Sequence, residues 1–453
     1  MQESSNPRSP SADRPVSLDD SERRVLLSKV NWRLIPLLFF CYVIAYIDRI
    51  NVGFAKLHLR EVLGVDETVF GSVYGLGAGL FFIGYFIFEL PSNLVLQRVG
   101  ARIWIARIMI VWGVVSMSMM FMRGTTMFYV MRFLLGAAEA GFFPGVILYL
   151  TYWYPARERA RTIALFATGG VMAGVIGSPI SGAILGLDGR AGLAGWQWLF
   201  FLEALPAVLL GLVVLVLLPN RPQEARWLSD AEKAWIQSRI NADAARTDLR
   251  QQHRLAEVFT SGRVWLLCLL YFLLNVGGYG YEMWLPSIIK GFSGQSDLVV
   301  GWINAIPYLI AAVVMLVASQ HSDRTGERRW HVAIAAISSA LGFVLSAYLK
   351  SPYLAMAALA LAFAGIKSTL GPFWALGTAF LSGTAAAGGI ALINSVGNLG
   401  GFFGPTMVGV IQDRTGSNLA GLLFLGGALF GMGLLALALG KPPSKHAFEE
   451  LKP

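Results

Sequence analysis

The stretch NWRLIPLLFFCYVIAYIDRINVGF, residues 31–54, decides the fold. From Leu34 to Ile47 it is almost wholly apolar. At about 1.5 Å per residue the whole stretch is about 36 Å long, enough to cross a hydrocarbon layer of about 30 Å as one helix. Asp48 and Arg49 stand inside the same run. A charge near the bilayer centre costs about 2.5–3.5 kcal/mol on insertion scales, so it persists where it pairs or lines water. The stretch therefore implies both a membrane-spanning chain and a polar site within it.

Outward from it, comparable runs lie near 69–95, 103–122, 126–153, 162–187 and 195–218, and again near 264–290, 298–320, 331–349, 353–382, 385–411 and 417–440. The total is twelve. The 453 residues are 55% hydrophobic and only 14% charged, with a mean hydropathy of +0.59, too apolar for a water-soluble fold of this length. The 50 glycines follow no Gly-X-Y period and fall inside the apolar runs, where small residues let helices approach closely. Strand alternation is absent, which argues against a barrel. The expected fold is an all-α membrane protein of twelve transmembrane helices in two six-helix bundles.

The expected organisation is a cytoplasmic tail over 1–29, a first bundle over 30–218, a linker with an interfacial helix over 219–263, a second bundle over 264–440 and a cytoplasmic tail over 441–453. In the linker, Ser229 is a suitable N-cap for the stretch LSDAEKAWIQSRI. An internal repeat supports two halves. Arg98-x-Gly100-x-Arg102 returns as Arg324-x-Gly326-x-Arg328, and Gly177 with Pro179 is echoed by Gly404 with Pro405 at nearly the same separation.

The net charge of +9 raises the question of nucleic acid, and the distribution answers it. Outside the expected helices, 24 Lys and Arg fall in the tails and the loops of one parity against 7 in the alternate loops. That bias places both termini in the cytoplasm of a cell whose inner membrane holds the chain, and no nucleic-acid partner is needed. The two cysteines, Cys41 and Cys268, lie in apolar runs without disulfide or metal-ligand spacing. The N-terminal segment lacks a secretory apolar core. No HExxH, GxSxG, P-loop or Cys/His cluster occurs, so neither an enzyme nor a bound cofactor or metal is expected.

The polar residues inside apolar runs are the candidates for function. Tyr42, Tyr46 and Arg49 share one face of the first helix, a face suited to an anion. Arg132 and Glu139 are two turns apart in RFLLGAAEAGFFPG and share a face, where they can couple. Small neighbours desolvate Glu139 and a nearby arginine opposes that, a balance suited to a proton-coupling carboxyl. Tyr85 and Glu89 stand four apart in the second helix, the tyrosine suited to donate to an anion and the acid to cap or gate. Asn275, Tyr279 and Glu282 form a stripe in NVGGYGYEMW that lines a cavity or serves as interhelical glue. Lys367, Gly371, Trp374 and Thr378 follow helical spacing; the lysine either meets a second carboxylate or snorkels to headgroups. Asn394 and Asn398 are four apart among glycines and can bond hydroxyls or a carboxylate. Glu203 follows WQWLFF and is read as structural.

These residues resemble a known family. Ser322-Asp323-Arg324-Thr325-Gly326-Glu327-Arg328-Arg329 is similar to the cytoplasmic loop signature of the major facilitator superfamily. Ile47-Asp48-Arg49-Ile50-Asn51, Glu89-Leu90-Pro91-Ser92-Asn93 and Arg132-x3-Gly136-x2-Glu139-Ala140-Gly141-x2-Pro144 together resemble its anion:cation symporter family, as do Gly371-Pro372-Phe373-Trp374 and Asn394-Ser395-Val396-Gly397-Asn398. The resemblance covers about residues 30–440 and is strongest to the organic-acid permeases that include tartrate, phthalate and sugar-acid transporters, tartrate most of all. It implies uptake of an organic anion with protons, by a monomer. It further implies Arg49 as carboxylate anchor, Asp48 and Glu139 as proton-carrying acids, Arg132 as the partner of Glu139, and Tyr85 and Asn398 as substrate-facing positions. Tyr46, Tyr279, Lys367, Trp374 and Asn394 complete the candidate substrate site; Asp323, Arg324, Arg328, Arg98 and Arg102 form the candidate gating loops. The first-half loop Gln97-Arg98-Val99-Gly100-Ala101-Arg102 departs from the signature by lacking its acid. The rival functions are a proton-coupled exporter of an amphipathic compound and a transporter-like sensor.

Overall fold

The structure is a computed structural model, and it describes residues 19–248, 259–380 and 383–439. The expected 441–453 tail and the first 18 residues lie outside the described residues. Among those described, the secondary structure is helical: α1 (Asp20–Ile50), α2 (Val52–Leu63), α3 (Glu67–Val99), α4 (Ala101–Ser118), α5 (Gly124–Glu139), α6 (Phe142–Thr151), α7 (Ala156–Ala167), α8 (Gly169–Leu185), α9 (Gly195–Leu217), α10 (Asp230–Asp248), α11 (Gly262–Ser293), α12 (Asp297–Thr325), α13 (Arg329–Tyr348), α14 (Pro352–Phe380), α15 (Gly383–Asn398), α16 (Gly400–Thr415) and α17 (Asn418–Ala438).

Eleven helical segments are long and apolar enough to cross a membrane. The twelfth is α15 and α16, each 16 residues, which follow one another across Leu399. The spans form two six-helix bundles, with the polar helix α10 between them in the chain. α1 begins at Asp20, well before residue 31, because Asp19 accepts from the Ser21 and Glu22 backbone N–H groups while Glu22 reaches back to the Asp19 N–H, a capping box. Ser229 and Glu232 make the same reciprocal arrangement at the start of α10.

The first span runs through Asn51, whose helical φ −59° and ψ −26° and bonds to Ile47 and from Ala55 join α1 to α2, whereas one expected continuous helix is interrupted. The fourth breaks between Glu139 and Phe142: Gly141 takes φ 86°, the left-handed region that glycine adopts without steric cost, and a Cβ there would lie 2.3 Å from Ser92 Oγ. The break leaves Glu139 at the end of α5.

The face bearing the start of α1 together with α10 is the basic face; the opposite one is called the far face. At the far face the bundles are tied together. Gly71 N and Ser72 N donate to Asp413 at 2.8 and 2.6 Å, Tyr74 OH donates to the Met283 carbonyl at 2.9 Å, and His58 meets Asp297 at 2.8 Å. The Lys56 ammonium lies 3.2 Å from the centroid of the Trp284 ring, a close cation–π contact across the same seam. Toward the basic face, Glu89 of α3 accepts from Asn394 Nδ2 at 2.7 Å and Ser395 Oγ at 2.9 Å, bridging to α15. Lys29 of α1 donates to Glu232 of α10 at 2.9 Å.

Candidate functional site

Midway along the spans, charged groups from both bundles meet. Lys367 Nζ of α14 donates to Glu282 Oε1 of α11 at 2.9 Å, with the side chains 8% and 1% exposed. Tyr46 OH of α1, from the other bundle, donates to Glu282 Oε2 at 2.8 Å and accepts from Lys367 Nζ at 3.2 Å. Arg49 of α1 pairs through Nη2 with Glu139 of α5. Its Nη1 crosses the seam to Tyr279 OH of α11 at 3.1 Å. Each bundle thus contributes one buried cation–carboxylate pair, and a tyrosine from the opposite bundle bonds each. Buried ion pairs stabilise little against their desolvation, so their retention here points to use rather than to folding.

The Arg49 guanidinium is boxed by aromatic faces, 5.7 Å from the Tyr46 centroid and 5.4 Å from those of Phe81 and Tyr85. Tyr85 therefore meets Arg49 through its ring. Tyr42 packs against Phe166 and Phe143 at 4.8 and 5.3 Å beside it. Tyr279 packs on Phe82 at 4.4 Å. Among the described residues, buried polar atoms without a hydrogen-bond partner include Arg49 Nε and Glu139 Oε2, capacity that a polar ligand or a proton can take up.

Several expected placements change. Arg132 does not bond Glu139: its Nη2 donates to the Ala78 carbonyl at 3.2 Å, and its guanidinium lies 5.1 Å from the Phe81 centroid. Two helical turns separate the pair by about 10.5 Å along the axis, beyond direct bonding, and Arg49 reaches the acid instead. Asp48 is fully buried but faces away from Arg49, into its own bundle, where Ser116 Oγ donates to it at 2.5 Å and Asn51 Nδ2 at 3.2 Å. Neighbouring residues on a helix point about 100° apart, which explains the separation. Trp374 is not brought to the ion pairs; it packs edge-on against Tyr271 at 5.0 Å. Asn394 is engaged by Glu89 rather than by the central pairs, and Asn398 is buried a turn beyond it, with Asn275 donating to the neighbouring Gly397 carbonyl at 3.0 Å.

The loop candidates are assembled at the basic face. Arg328 Nη1 meets Asp323 at 2.6 Å and donates to Ser322 Oγ at 2.9 Å, and Ser322 Oγ donates to the Glu327 carbonyl at 2.7 Å. Arg324 and Arg98 are exposed. In the first-half loop, Asn220 Oδ1 accepts from Arg102 N at 3.0 Å, and Glu224 takes the Asn220 N–H at 3.0 Å, so the linker supplies polar closure where the loop lacks its acid.

Glu282 takes a place in the central pairs that the spacing of its own stripe did not reveal. The signal was present elsewhere: Tyr46-x-x-Arg49 and Tyr279-x-x-Glu282 repeat the same spacing in the first helix of each half, with the charge inverted. Lys56 and Ser116 also went unread, because a lysine near a span end and a serine in an apolar run carry no distinct pattern.

The sequence profile of the Major Facilitator Superfamily matches residues 38–405. A relative from Agrobacterium vitis, named "Putative tartrate transporter", is 49% identical over 95% of this chain and 94% of its own length. One from Acinetobacter baumannii, named "Quinolone resistance transporter", is 43% identical over 93% and 96%. Among solved structures, a D-xylose–proton symporter superposes with a TM-score of 0.73 at 16% identity, over 91% of this chain and 98% of that one. The last likeness concerns the fold alone.

Proposed function

Because the chain belongs to the Major Facilitator Superfamily, and is a multi-pass secondary transporter of a small molecule rather than an enzyme, we propose that it imports an organic anion, a tartrate-like hydroxy-dicarboxylate or a sugar acid, by proton symport with alternating access. The observation that carries this reading is the pair of buried ion pairs, Arg49–Glu139 and Lys367–Glu282, set face to face across the seam and cross-bonded by Tyr279 and Tyr46.

In the empty transporter each cation is neutralised by an internal acid. Protonating Glu139 and Glu282 frees Arg49 and Lys367, and the two carboxylates of a dicarboxylic cargo take their places. Charge in the crevice is conserved through the exchange, which avoids the cost of an uncompensated buried ion. Tyr46 and Tyr279 remain to hydrogen-bond cargo hydroxyls or carboxylates, and the aromatic faces of Phe81 and Tyr85 hold the guanidinium in place. The 49% identical relative bears a tartrate transporter's name, in keeping with that cargo.

Alternating access follows from how the bundles touch. The ties at Asp413, Met283 and Asp297 close the far face, and Glu89 with Asn394 closes part of the opposite side. Rocking about the central pairs breaks the far-face ties in one direction and the Glu89–Asn394 tie in the other. The basic face is cytoplasmic under the positive-inside rule, in the inner membrane, with the Asp323–Arg328 and Arg98–Arg102 loops guarding it. An inside-negative potential opposes an entering anion by about 2.3 kcal/mol per charge at 100 mV, so a dicarboxylate needs more than two protons for voltage to assist net uptake.

The deciding experiment is uptake by proteoliposomes of a panel of mono- and dicarboxylates under an imposed pH gradient. Tartrate should accumulate when the outside is acidic and should stop when a protonophore is added. Arg49→Ala should abolish carboxylate binding, and Glu139→Gln should lose accumulation while retaining exchange. Accumulation of tartrate that ignores the gradient, or a Glu139→Gln protein that concentrates it like the parent, would refute the reading. The 43% identical relative named for quinolone resistance favours one rival, proton-driven export of an amphipathic compound. Proton-dependent flux out of loaded vesicles, with no carboxylate uptake, would select it.

A further inference from the structure

We propose that the far-face end of α3 is an outer docking site for a carboxylate of the cargo, built from the Gly71 and Ser72 N–H groups and the Lys56 ammonium, and that Asp413 fills it whenever the far face is closed. The identity of the ligand rests on the organic-anion reading above. The site itself rests on geometry.

A carboxylate already sits there. Asp413, on α16 of the second bundle, accepts from Gly71 N through Oδ1 at 2.8 Å and from Ser72 N through Oδ2 at 2.6 Å, both on α3 of the first. Two adjacent backbone donors thus take the two oxygens of one carboxylate. The approach requires a glycine: a Cβ at position 71 would lie 2.5 Å from Asp413 Oδ1. Lys56 of α2 supplies a positive charge beside these donors. Its ammonium is 6.0 Å from the Phe70 centroid and 5.1 Å from that of Tyr74, the rings on either side of Gly71 and Ser72 along α3, and 3.2 Å from that of Trp284 on α11. The lysine is 5% exposed, and among the described residues it makes neither an ion pair nor a hydrogen bond. Aromatic faces recover only part of what burying an ammonium costs, so its retention points to a state in which it meets an anion.

The parts divide between the bundles. Gly71, Ser72, Tyr74 and Lys56 belong to the first, Asp413 and Trp284 to the second. Opening the far face therefore withdraws Asp413 from the donors and Trp284 from the ammonium in one movement, and it frees the Tyr74 hydroxyl from the Met283 carbonyl. Two N–H groups, a hydroxyl and a cation are left on one bundle, a donor set that suits a carboxylate. Ser72 is ten residues, or about 15 Å along α3, outward of Phe82, which packs on Tyr279 at the central pairs. The docking site is thus distinct from the central one. Cargo and Asp413 compete for the same donors, so the far face closes only after the cargo has moved inward to Arg49 and Lys367. Asp413 then takes the vacated place.

The test uses the full chain in proteoliposomes of one orientation. Lys56→Met should raise the KM for tartrate presented to the far face about 5-fold, equivalent to about 1 kcal/mol, the attraction of two unit charges about 4 Å apart in water. Its Vmax and its KM for tartrate presented to the basic face should match the parent's, as should its thermal unfolding midpoint, because methionine fills the aromatic box. Lys56→Arg should keep the parent's far-face KM, and Asp413→Asn, which weakens the competitor, should lower it. If these residues only latched the far face, losing either contact would favour the open state and lower the KM in both variants. A far-face KM unchanged or lowered in Lys56→Met, or raised in Asp413→Asn, would overturn the proposal. Binding is read separately by saturation-transfer NMR of tartrate on the Arg49→Ala/Asp413→Asn protein in nanodiscs, where a weak contact should persist and should vanish when Lys56→Met is added. Absence of that contact would overturn the site. Should the parent accumulate no carboxylate, the symport reading fails, and the NMR contact alone decides whether the docking site exists.

Discussion

Replacing Lys367 by methionine isolates the second ion pair, because methionine keeps the length and apolar stem of lysine and removes only the charge. Across the 2.9 Å between Lys367 Nζ and Glu282 Oε1 the attraction at an effective dielectric of about 20 is about 6 kcal/mol, most of which offsets desolvation. Removing one partner leaves the other stranded, and breaking such a pair costs roughly 3–5 kcal/mol. Replacing Glu282 as well removes the stranded charge, so Lys367→Met/Glu282→Gln should be more stable than Lys367→Met alone. Thermal unfolding in detergent, followed by circular dichroism, reads the difference. In binding assays the single variant should lose dicarboxylates selectively and keep monocarboxylates, which Arg49 holds alone. A double variant no more stable than the single one, or equal loss of both cargo classes, would refute the two-anchor reasoning.

A Cβ added at Gly136 would lie 1.8 Å from the Phe81 carbonyl oxygen and 2.7 Å from its carbon, so α3 and α5 must part. Gly136→Ala should cost about 1–3 kcal/mol of stability, read as a lower unfolding midpoint. It should also weaken carboxylate binding without touching cargo, because both Arg49 and Arg132 rest on the Phe81 ring. At the basic face, burial would raise the Glu232 pKa, but hydrogen bonds from Lys29 and from the Ser229 backbone outweigh it and hold the carboxyl below its ordinary range. A carboxyl depressed in the folded state contributes above its unfolded value of about 4.3 and loses that contribution as pH falls through the lower folded value. Protection of α10 from limited proteolysis should accordingly fall away in that acid window, and Glu232→Gln should show the weaker protection at every pH.

Much of this was legible in the sequence because the membrane makes polarity conspicuous. Arg49, Glu139 and Lys367 stood out as charges in apolar runs, and all three occur in the central pairs. Partnership was harder to read. Sequence neighbours suggested that Arg132 serves Glu139 and that Asp48 works beside Arg49. Helical geometry overrules both: seven residues is too far along the axis, and one residue turns the side chain out of the seam. The break at Gly141 redirects its flanking groups, and only the folded backbone shows by how much. Glu203 was read as structural because its neighbours in sequence are aromatic and apolar; the Ser181 hydroxyl that bonds it comes from another helix.

The repeat explains why the central pairs cross the seam as they do. Tyr46 and Arg49 occupy in α1 the places that Tyr279 and Glu282 occupy in α11, and Glu139 and Lys367 face them from the fourth span of each half. Inverting the charge lets each tyrosine bond the charged residue opposite its own, as Tyr46 does to Glu282 and Tyr279 to Arg49. The inversion also places the two cations on different kinds of helix, one in a first span and one in a fourth. A cargo carrying two carboxylates must then touch both bundles to be fully neutralised, so its binding favours the bundles coming together. That requirement gives the second carboxylate a mechanical role as well as an electrostatic one, and it is why loss of Lys367 should discriminate between cargo classes where loss of Arg49 should not.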